Sequence, residues 1–591
     1  MKITTSIILL FLLVGCGSDG SSSDGQLETL STQTIEGLRY KVNNKTTTTN
    51  ESGVLSCSEN EEISVYAGAI FLSTLACKEN LDIFDLANTK VPMNMMDYKK
   101  GIADKSMNRL LNLASFLQSI DEDGNPSNGI VIPKEFESIS KDIKLDFSDE
   151  YYSFKSAFNF RKLMYLGRKN NIWEENRKIV KPYVALDRLY KVMHLKPEIY
   201  ALDSRHYKYT HNESNGNIIL TKINENSTFT YDDLGERSVA LFDKNNNGRI
   251  DFKNEYTYDK DGNRIDINEY INDTIPIYFD NNGRAVYDYR DDNGSLTLYK
   301  KREQSYNYDG NLKEYKFLDM KYHIFVDTNT NYKYDKYGNN ILKKVQVNPY
   351  ESYCYITKYN ALGQKVLYEL DVDCDKTIEQ RTTFKYDQKN RNIATQTDYD
   401  ANGIIDNNET IIYMEDGGRR SLSLIYDNNG NVDMNLSNVI DANENLLSSD
   451  FESTFMNESH TKYEYSKTGK MLLENTYNTD GELTYVSSYK YDTHDNLLLS
   501  ETKNIVENKI VDKSIYTYDE KNYPLTSSHR GDGSYDYDEV YTYDVHGNKL
   551  SYIKTVMENK DVSKSESSYG YINTGKWVSL ISYGEERDTN Y

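Results

Sequence analysis

The sequence has few of the residues that usually carry catalysis or interrupt strands. Its 591 residues include 2 Trp, 5 Cys, 8 His and 8 Pro. The His are scattered singly, and the chain shows no His-Glu-x-x-His, Gly-x-Ser-x-Gly, Cys-x-x-Cys or phosphate-binding Gly loop with Lys. Acidic pairs are too abundant to nominate a glycosidase dyad, because such a dyad is defined by separation in space. We therefore expect a protein that is not an enzyme.

Positive charge is also scarce. The chain carries 69 Lys and Arg against 92 Asp and Glu, which gives a formal net charge of -23. Because phosphate binding needs clustered Lys and Arg, this balance argues against nucleic acid or an anionic bilayer as the direct ligand. Tyrosine, by contrast, is abundant at 53 residues, and it favours the pleated, half-buried surface of a β-sheet.

The N-terminus carries an apolar run over residues 7–14 behind one basic residue. This run is too short for the roughly 20 apolar residues of a spanning helix, so residues 1–15 are predicted to be a signal peptide. Leu13-Val14-Gly15-Cys16 resembles the bacterial lipobox. The resemblance implies that Cys16 is acylated and becomes the first mature residue, as in palmitate-bearing lipoproteins. The alternative is an ordinary signal with an incidental Cys.

A Gly/Ser/Asp-rich stretch follows Cys16 and extends over residues 16–35. Its composition predicts a flexible tether between the lipid and the folded chain. Gly17, and not Asp, stands directly after the Cys. By resemblance to other lipid-anchored proteins this favours the outer membrane or the cell surface as the location.

Four further Cys lie in the exported part of the chain. An even number is compatible with two disulfides. Proximity suggests Cys57 with Cys77 and Cys354 with Cys374, and the alternative is four free buried thiols. The sequence does not fix the connectivity.

Residues 36–95 are predicted to form a small β domain, because short β-prone runs alternate with polar turns. Residues 96–200 have the apolar spacing of helices. With Gly-Leu-x-Tyr at 37–40 and Glu-Glu-x-x-x-x-x-Gly at 61–68, this part is similar to the N-terminal module of many proteobacterial surface lipoproteins. The resemblance implies a small β-sandwich followed by a helix and a loop, and it implies no particular chemistry.

Residues 205–591 repeat the unit Tyr-x-Tyr-Asp-x-x-Gly-Asn, with clear copies at Tyr256, Tyr332 and Tyr541. The mean period is about 26 residues. A second Asn-Gly or Asp-Gly turn lies halfway through many units, so each unit is predicted to be two strands and two turns. The two Tyr of each pair lie on one face of their strand, which predicts aromatic ladders along the array.

The repeat resembles the RHS/YD-repeat family, whose signature is a Tyr-Asp-x-x-Gly-Asn or Gly-Arg turn followed by a strand. The resemblance covers about residues 205–590 and implies a mainly β fold, a YD-type hairpin array in a curled or spiralling sheet. In the family such a sheet can close into a hollow shell around cargo. The Pro-bounded segment that terminates the family's core is not found here, which predicts an open ribbon or a partial spiral.

One repeat turn matches the loop of an EF-hand. Oxygen-bearing residues stand at the spacing that wraps a hard cation such as calcium, with the main-chain carbonyl of residue 404 as a further ligand. The alternative is a turn whose Asp and Asn only cap the hairpin. The candidate ligands are Asp398, Asp400, Asn402, Ile404, Asp406 and Glu409, and a poorer copy is Asp243, Asn245, Asn247 and Asp251.

These features together favour a cell-envelope lipoprotein that acts as a non-catalytic β-repeat scaffold for surface binding or adhesion, stabilised by calcium. Its partners would be the membrane, through the lipid anchor, and a glycan or protein ligand at the surface. Two alternatives stay open. One is a shell that encloses a separately encoded cargo, and the other is a hydrolase whose site the sequence does not reveal.

Overall fold

The computed structural model describes residues 35–582, with gaps at 43–44, 50–56, 59–60, 79–80, 213–222, 260, 276, 280–284, 288–293, 308, 321–327, 349, 428, 457, 533–535 and 559–560. The signal peptide and Cys16 lie outside the described residues. The described chain has two parts, an N-terminal α+β unit and a large β-barrel.

Residues 35–199, called the cap below, combine a small antiparallel sheet with helices. The strands are β1 (Ile35–Glu36), β2 (Arg39–Val42), β3 (Lys45–Thr48), β4 (Glu62–Ala67), β5 (Ile70–Ala76) and β6 (Ile130–Val131). The helices are α1 (Ile83–Ala87), α2 (Met95–Ala103), α3 (Ser106–Ile120), α4 (Phe136–Ser140), α5 (Tyr151–Ser156), α6 (Phe158–Lys169) and α7 (Pro182–Val192). The sheet order is β3-β2-β4-β5, and β1 pairs with β6 in parallel.

One hydrophobic core joins the sheet and the helices of the cap. Helix α3 is buried along almost its whole length, and its Phe116 packs against Phe136, Phe147 and Phe160. Trp577, from the far end of the chain, is completely buried in the same core. The last described residues therefore belong to the cap, including the short helix α8 (Ser579–Ser582).

The described residues from Tyr200 to Asn573 form a closed antiparallel barrel of 26 strands, together with one separate hairpin. Each strand pairs with its neighbours in sequence, apart from the hairpin of β12 (Ile277–Phe279) and β13 (Ala285–Tyr287), which stands outside the barrel. The barrel strands are β7 (Tyr200–Asn212), β8 (Ile223–Tyr231), β9 (Arg237–Asp243), β10 (Phe252–Tyr258), β11 (Arg264–Asn272), β14 (Leu296–Tyr306), β15 (Leu312–Asp319), β16 (Thr328–Tyr334), β17 (Asn340–Asn348), β18 (Glu351–Tyr359), β19 (Lys365–Val372), β20 (Gln380–Tyr386), β21 (Asn392–Asp398), β22 (Asn407–Tyr413), β23 (Arg419–Tyr426), β24 (Val432–Ile440), β25 (Leu446–Ser453), β26 (Ser459–Tyr465), β27 (Met471–Tyr477), β28 (Leu483–Tyr491), β29 (Leu497–Asn504), β30 (Lys509–Tyr518), β31 (Pro524–Gly531), β32 (Asp536–Tyr543), β33 (Lys549–Glu558) and β34 (Asp561–Asn573).

The Tyr-Asp turns share one hydrogen-bonding pattern. In the turn after β16, one carboxylate oxygen of Asp335 accepts the N–H groups of Tyr337 and Asn339 at 2.8 and 2.9 Å. The other accepts the side-chain amide of Asn339 at 2.8 Å. Gly338 has a φ of +76°, which a residue without Cβ adopts at no steric cost. The same aspartate pattern recurs at Asp259, Asp427, Asp441, Asp492 and Asp544.

A β-bulge follows most of these turns. The register shifts between Lys333 and Tyr334, between Lys490 and Tyr491, and at the matching point of other repeats. A bulge bends its strand and increases the local twist, so one bulge per repeat curves the whole sheet in one sense. The curvature brings the last strand, β34, alongside the first, β7, where they pair from Val562 with Asn212 to Asn573 with Tyr200.

This closure corrects the fold class expected from the sequence. The array is mainly β and built of hairpins as expected, but it is a closed barrel and not an open, curled or spiralling sheet, because β34 and β7 leave no free edge. The N-terminal β region is also a single four-stranded sheet packed on helices, and not a β-sandwich. Within the described residues, no helix has both the length and the apolar character to cross a membrane.

Candidate functional site

The two faces of the barrel wall differ in exposure. Lys333 is exposed, whereas Tyr332 and Tyr334 on either side of it are half-buried, and the same alternation holds at Lys490 and Thr542. Side chains converge on the concave side of a closed sheet and diverge on the convex side. The tyrosine face, called the inner face below, is therefore the one that lines the lumen.

Tyrosine hydroxyls on the inner face tie neighbouring repeats together at the turn end of the barrel. The Tyr334 hydroxyl donates to the carbonyl of Leu312 at 2.6 Å, and the Tyr518 hydroxyl donates to that of Leu497 at 3.0 Å. In each case the carbonyl belongs to the first residue of the adjacent strand, beyond the last pair of the ladder. The tyrosine hydroxyl thus provides a hydrogen-bond donor for a backbone carbonyl that has no partner in the ladder between the two strands.

The inner face also holds carboxylates, of which Glu539 has the most complete set of donors. It accepts hydrogen bonds from Ser527 at 2.6 Å and from Tyr541 and Tyr552 at 2.9 Å, and Lys554 lies at 3.3 Å. Burial alone would raise the pKa of Glu539, but these donors outweigh it and hold the pKa below its usual value. Burial and the bonded carboxylate in turn raise the pKa of both tyrosines. The lumen wall is therefore polar and charged as well as aromatic.

The outer face carries charged side chains along the wall. Lysine at the middle of a lipid-facing wall costs roughly 2–4 kcal/mol per residue and little near its ends, so the mid-strand Lys344 and Lys462 favour water over hydrocarbon. A closed antiparallel barrel is nevertheless an architecture found in outer membranes, and the fold fits that location. The exposed lysines on this face include Lys333, Lys344, Lys358, Lys385, Lys462 and Lys490.

The cap lies over the end of the barrel that carries the Tyr-Asp turns. Arg168 on α6 pairs with Asp309 at 2.5 Å, and Lys178 pairs with Asp261 at 2.5 Å. Phe158 packs against Gly363, where an added Cβ would lie 2.1 Å from its ring. On α7, the Asp187 carboxylate accepts the backbone N–H groups of Trp577 and Val578 at 2.8 and 3.0 Å. The cap therefore contacts the turns of several repeats at this end of the barrel.

Opposite charges account for this docking. Residues 35–200 contain 23 Lys and Arg and 23 Asp and Glu, so the chain's excess of negative charge lies outside the cap. Residues 151–196, which include α6 and α7, contain eleven Lys and Arg against three Asp and Glu. This basic segment faces turns rich in aspartate, and its ion pairs are with Asp309 and Asp261, the third residues of their turns. Electrostatic attraction thus favours the observed placement of the cap.

The predicted calcium loop lies at the opposite end of the barrel, between β21 and β22. Carboxylate oxygens of Asp398, Asp400 and Asp406 lie within 4.8 Å of one another. Asp398 is 3% exposed and accepts the N–H groups of residues 402 and 403 at 3.1 and 2.8 Å. Glu409 instead lies within β22 opposite Thr395, outside this cluster. The structure therefore brings together three of the predicted carboxylates but not the fourth.

The side chain of Asn402, a further predicted ligand, is bonded within the turn. The side-chain oxygen of Asn402 accepts the N–H of Ile404 at 2.7 Å, and its amide nitrogen donates to Asp400 at 2.8 Å. Ile404 itself is exposed. The geometry is that of a tight, internally bonded turn, and calcium binding there stays a prediction.

Two further loops repeat this geometry at the same end. In the loop after β9, Asp243 accepts from residues 247 and 248 at 3.1 and 2.8 Å, and Asp251 accepts from Lys244 at 2.6 Å. In the loop after β19, Asp371 accepts from residues 375 and 376 at 3.0 Å, and Glu379 accepts from Val372 at 2.6 Å. Sequence reasoning missed this third loop, although Asp-x-Asp-x-Asp-x-x-x-Glu over 371–379 could have revealed it.

Disulfides join the cysteines in the pairs that their proximity suggested. Cys57 is bonded to Cys77 in the cap, and Cys354 is bonded to Cys374 in the third acidic loop. The second bond ties the loop after β19 to strand β18. It therefore fixes one side of the rim that faces away from the cap.

No protein-family model matches the chain, and no curated protein resembles it in sequence. Among solved structures, it is similar to a TcdB2-TccC3-Cdc42 complex at 12% identity and a TM-score of 0.22, covering 63% of this chain and 24% of that one. A porin-like protein from Bacteroides uniformis matches at 11% identity and a TM-score of 0.19, over 39% of this chain and 92% of that one. Similarities at such low identity and TM-score do not indicate a function. The resemblance to the RHS/YD-repeat family depends on the turn motif.

The closed barrel overturns the function expected from the sequence. A scaffold for adhesion was expected to present an open β surface, whereas this sheet has no free edge and places its tyrosine face around a lumen. The two alternatives, a spiral shell around a cargo and a hidden hydrolase, do not fit this architecture either. The fold is compatible with a location in the cell envelope, but it does not support the expected role as a β-repeat scaffold for adhesion.

Proposed function

We propose that the protein is a capped envelope barrel that takes hydrophilic solutes into its lumen. The observation that carries the proposal is the closure of the sheet around a polar, tyrosine-lined inner face. Tyrosine rings beside Ser and Thr hydroxyls and carboxylates offer stacking and hydrogen bonds together, as at Glu539. Oligosaccharides combine apolar ring faces with many hydroxyls, and they are the ligand class we favour.

In this proposal the two ends of the barrel have different roles. The cap closes the mouth at the Tyr-Asp turns, and solutes enter at the end that carries the acidic loops. The barrel stands in water beside the outer membrane, which its outer lysines favour, and the lipid predicted on Cys16 is its attachment. Calcium bound at Asp398, Asp400 and Asp406 would relieve the repulsion between these carboxylates and stiffen the entrance.

The lumen can be tested with two single cysteines on adjacent strands. Ser500 is opposite Tyr489 on the inner face, whereas Ser488 is opposite Glu501 on the outer face, and both serines are half-buried. We would introduce Ser500→Cys or Ser488→Cys into the full chain carrying Cys16→Ser. The remaining cysteines are disulfide-bonded, so each variant has one free thiol.

A small methanethiosulfonate reagent should label both thiols, because the lumen is open to water. A polyethylene glycol maleimide should label Ser488→Cys but not Ser500→Cys, because it is too large to enter. Equal labelling of both variants by the large reagent would show that the inner face is not enclosed. On a glycan array, Tyr489→Ala should then weaken binding more than Lys490→Ala, its outward neighbour.

A further inference from the structure

A cavity of about 490 Å³ lies where the cap meets the end of the last barrel strand. Its walls come from α7, from the segment that leads into β7, and from residues 573–576 at the end of β34. Its lining includes four basic side chains, namely Lys191, His194, Lys196 and Lys576. This composition is unusual in a chain of net charge -23.

The lining also holds one carboxylate. Asp187 accepts the N–H groups of Trp577 and Val578, one on each carboxylate oxygen. Glu198, close by in sequence, lies 3.5 Å from His546. Among the described residues, no ion pair involves any of the three lysines of the cavity, whereas Arg168 and Lys178 of the same basic segment are paired with barrel aspartates. Lys576 interacts electrostatically with Asp187, so Lys191 and Lys196 are the lysines of the cavity whose positive charge no ion pair among the described residues offsets.

We propose that this cavity binds the phosphate group of a small solute or of a lipid headgroup. Three ammonium groups around one concave site can each donate to a phosphate oxygen, and charge-assisted bonds of this kind are the strong ones. The hydroxyl and backbone groups of Thr574 and Gly575 complete a polar wall. The overall acidity of the chain does not oppose binding here, because the cap itself carries balanced charge and the segment 151–196 is basic.

The test uses the full chain and a reporter that the chain already has. Trp577 follows Lys576 directly, so its emission should respond to an anion in the cavity. Inorganic phosphate would be titrated at constant ionic strength, and sedimentation with vesicles of phosphatidylethanolamine and phosphatidylglycerol would be compared with phosphatidylcholine vesicles. The variant is Lys191→Gln with Lys196→Gln and Lys576→Gln. The control of equal charge is Lys141→Gln with Lys144→Gln and Lys169→Gln, three exposed lysines elsewhere on the cap.

Wild type and control should bind, and the cavity variant should bind at least about tenfold more weakly, as loss of charge-assisted bonds predicts. Saturable binding of inorganic phosphate identifies a free solute as the source, and binding confined to the anionic vesicles identifies a headgroup. Equal responses of the cavity variant and the control, with both folded by circular dichroism, would overturn the proposal. So would the absence of binding to either probe. None of these outcomes depends on access to the barrel lumen.

Discussion

The ion pair between Arg168 and Asp309 should hold the cap on the barrel. Their charged atoms lie 2.5 Å apart, and the two side chains are only 12% and 21% exposed. Unit charges with centres about 4 Å apart attract by roughly 4 kcal/mol at an effective dielectric constant near 20, and desolvation offsets much of this gain. Removing one partner leaves the other charge largely buried. We therefore expect Arg168→Gln to lower the free energy of cap unfolding by about 2 kcal/mol.

Tryptophan fluorescence isolates this effect from the barrel. Both Trp of the chain, Trp173 and Trp577, are buried in the cap core. Urea unfolding followed by their emission should show the loss in Arg168→Gln and a similar loss in Asp309→Asn. Lys169→Gln removes the same charge from an exposed neighbour and should leave the midpoint nearly unchanged.

A double-mutant cycle decides whether the two residues act as a pair. The double variant should lose less than the sum of the single losses, with a coupling of about 1 kcal/mol or more. Added salt should reduce this coupling only modestly, because the pair is largely shielded from solvent. Additive losses would refute the reasoning, since Arg168 and Asp309 would then not act as a pair.

Three further predictions concern the cap, the rim and the anchor. Burial raises the pKa of Asp187 to about 6, although hydrogen bonds from the N–H groups of Val578 and Trp577 oppose the rise. Because this pKa exceeds that of Asp187 in the unfolded chain, the charged form of Asp187 lowers the stability of the cap. Cap unfolding followed by Trp emission should therefore shift to higher urea as the pH falls from 7.5 to 5, and the shift should be smaller in Asp187→Asn. Calcium should raise the melting temperature of the wild type more than magnesium does, and Asp400→Asn should lose this gain while Asp480→Asn, in an ordinary turn, should keep it. Cys16→Ser should move the protein from the membrane fraction to the soluble fraction, or leave it as precursor, and unchanged fractionation would contradict the predicted lipid anchor.

The repeat pattern predicted the local structure well because its contacts are local. The bonds of Asp335 reach only residues 337 and 339, and Gly338 supplies the left-handed backbone within the same five residues. The second acidic loop could be anticipated for the same reason. The third was missed because Lys376 stands where the others have Gly, yet its backbone adopts a φ of 81°, near the 94° of Gly403.

The sequence by itself therefore determined the hairpins, the turn chemistry, the tyrosine face and the basic character of α6 and α7. Only the tertiary structure decided that the sheet closes. Closure is the sum of small bends at one bulge per repeat, and whether β34 meets β7 depends on the total over 26 strands and not on any one of them. The same holds for Trp577 in the cap core, about 390 residues from Asp187, because no local pattern encodes a contact between the two ends of the chain.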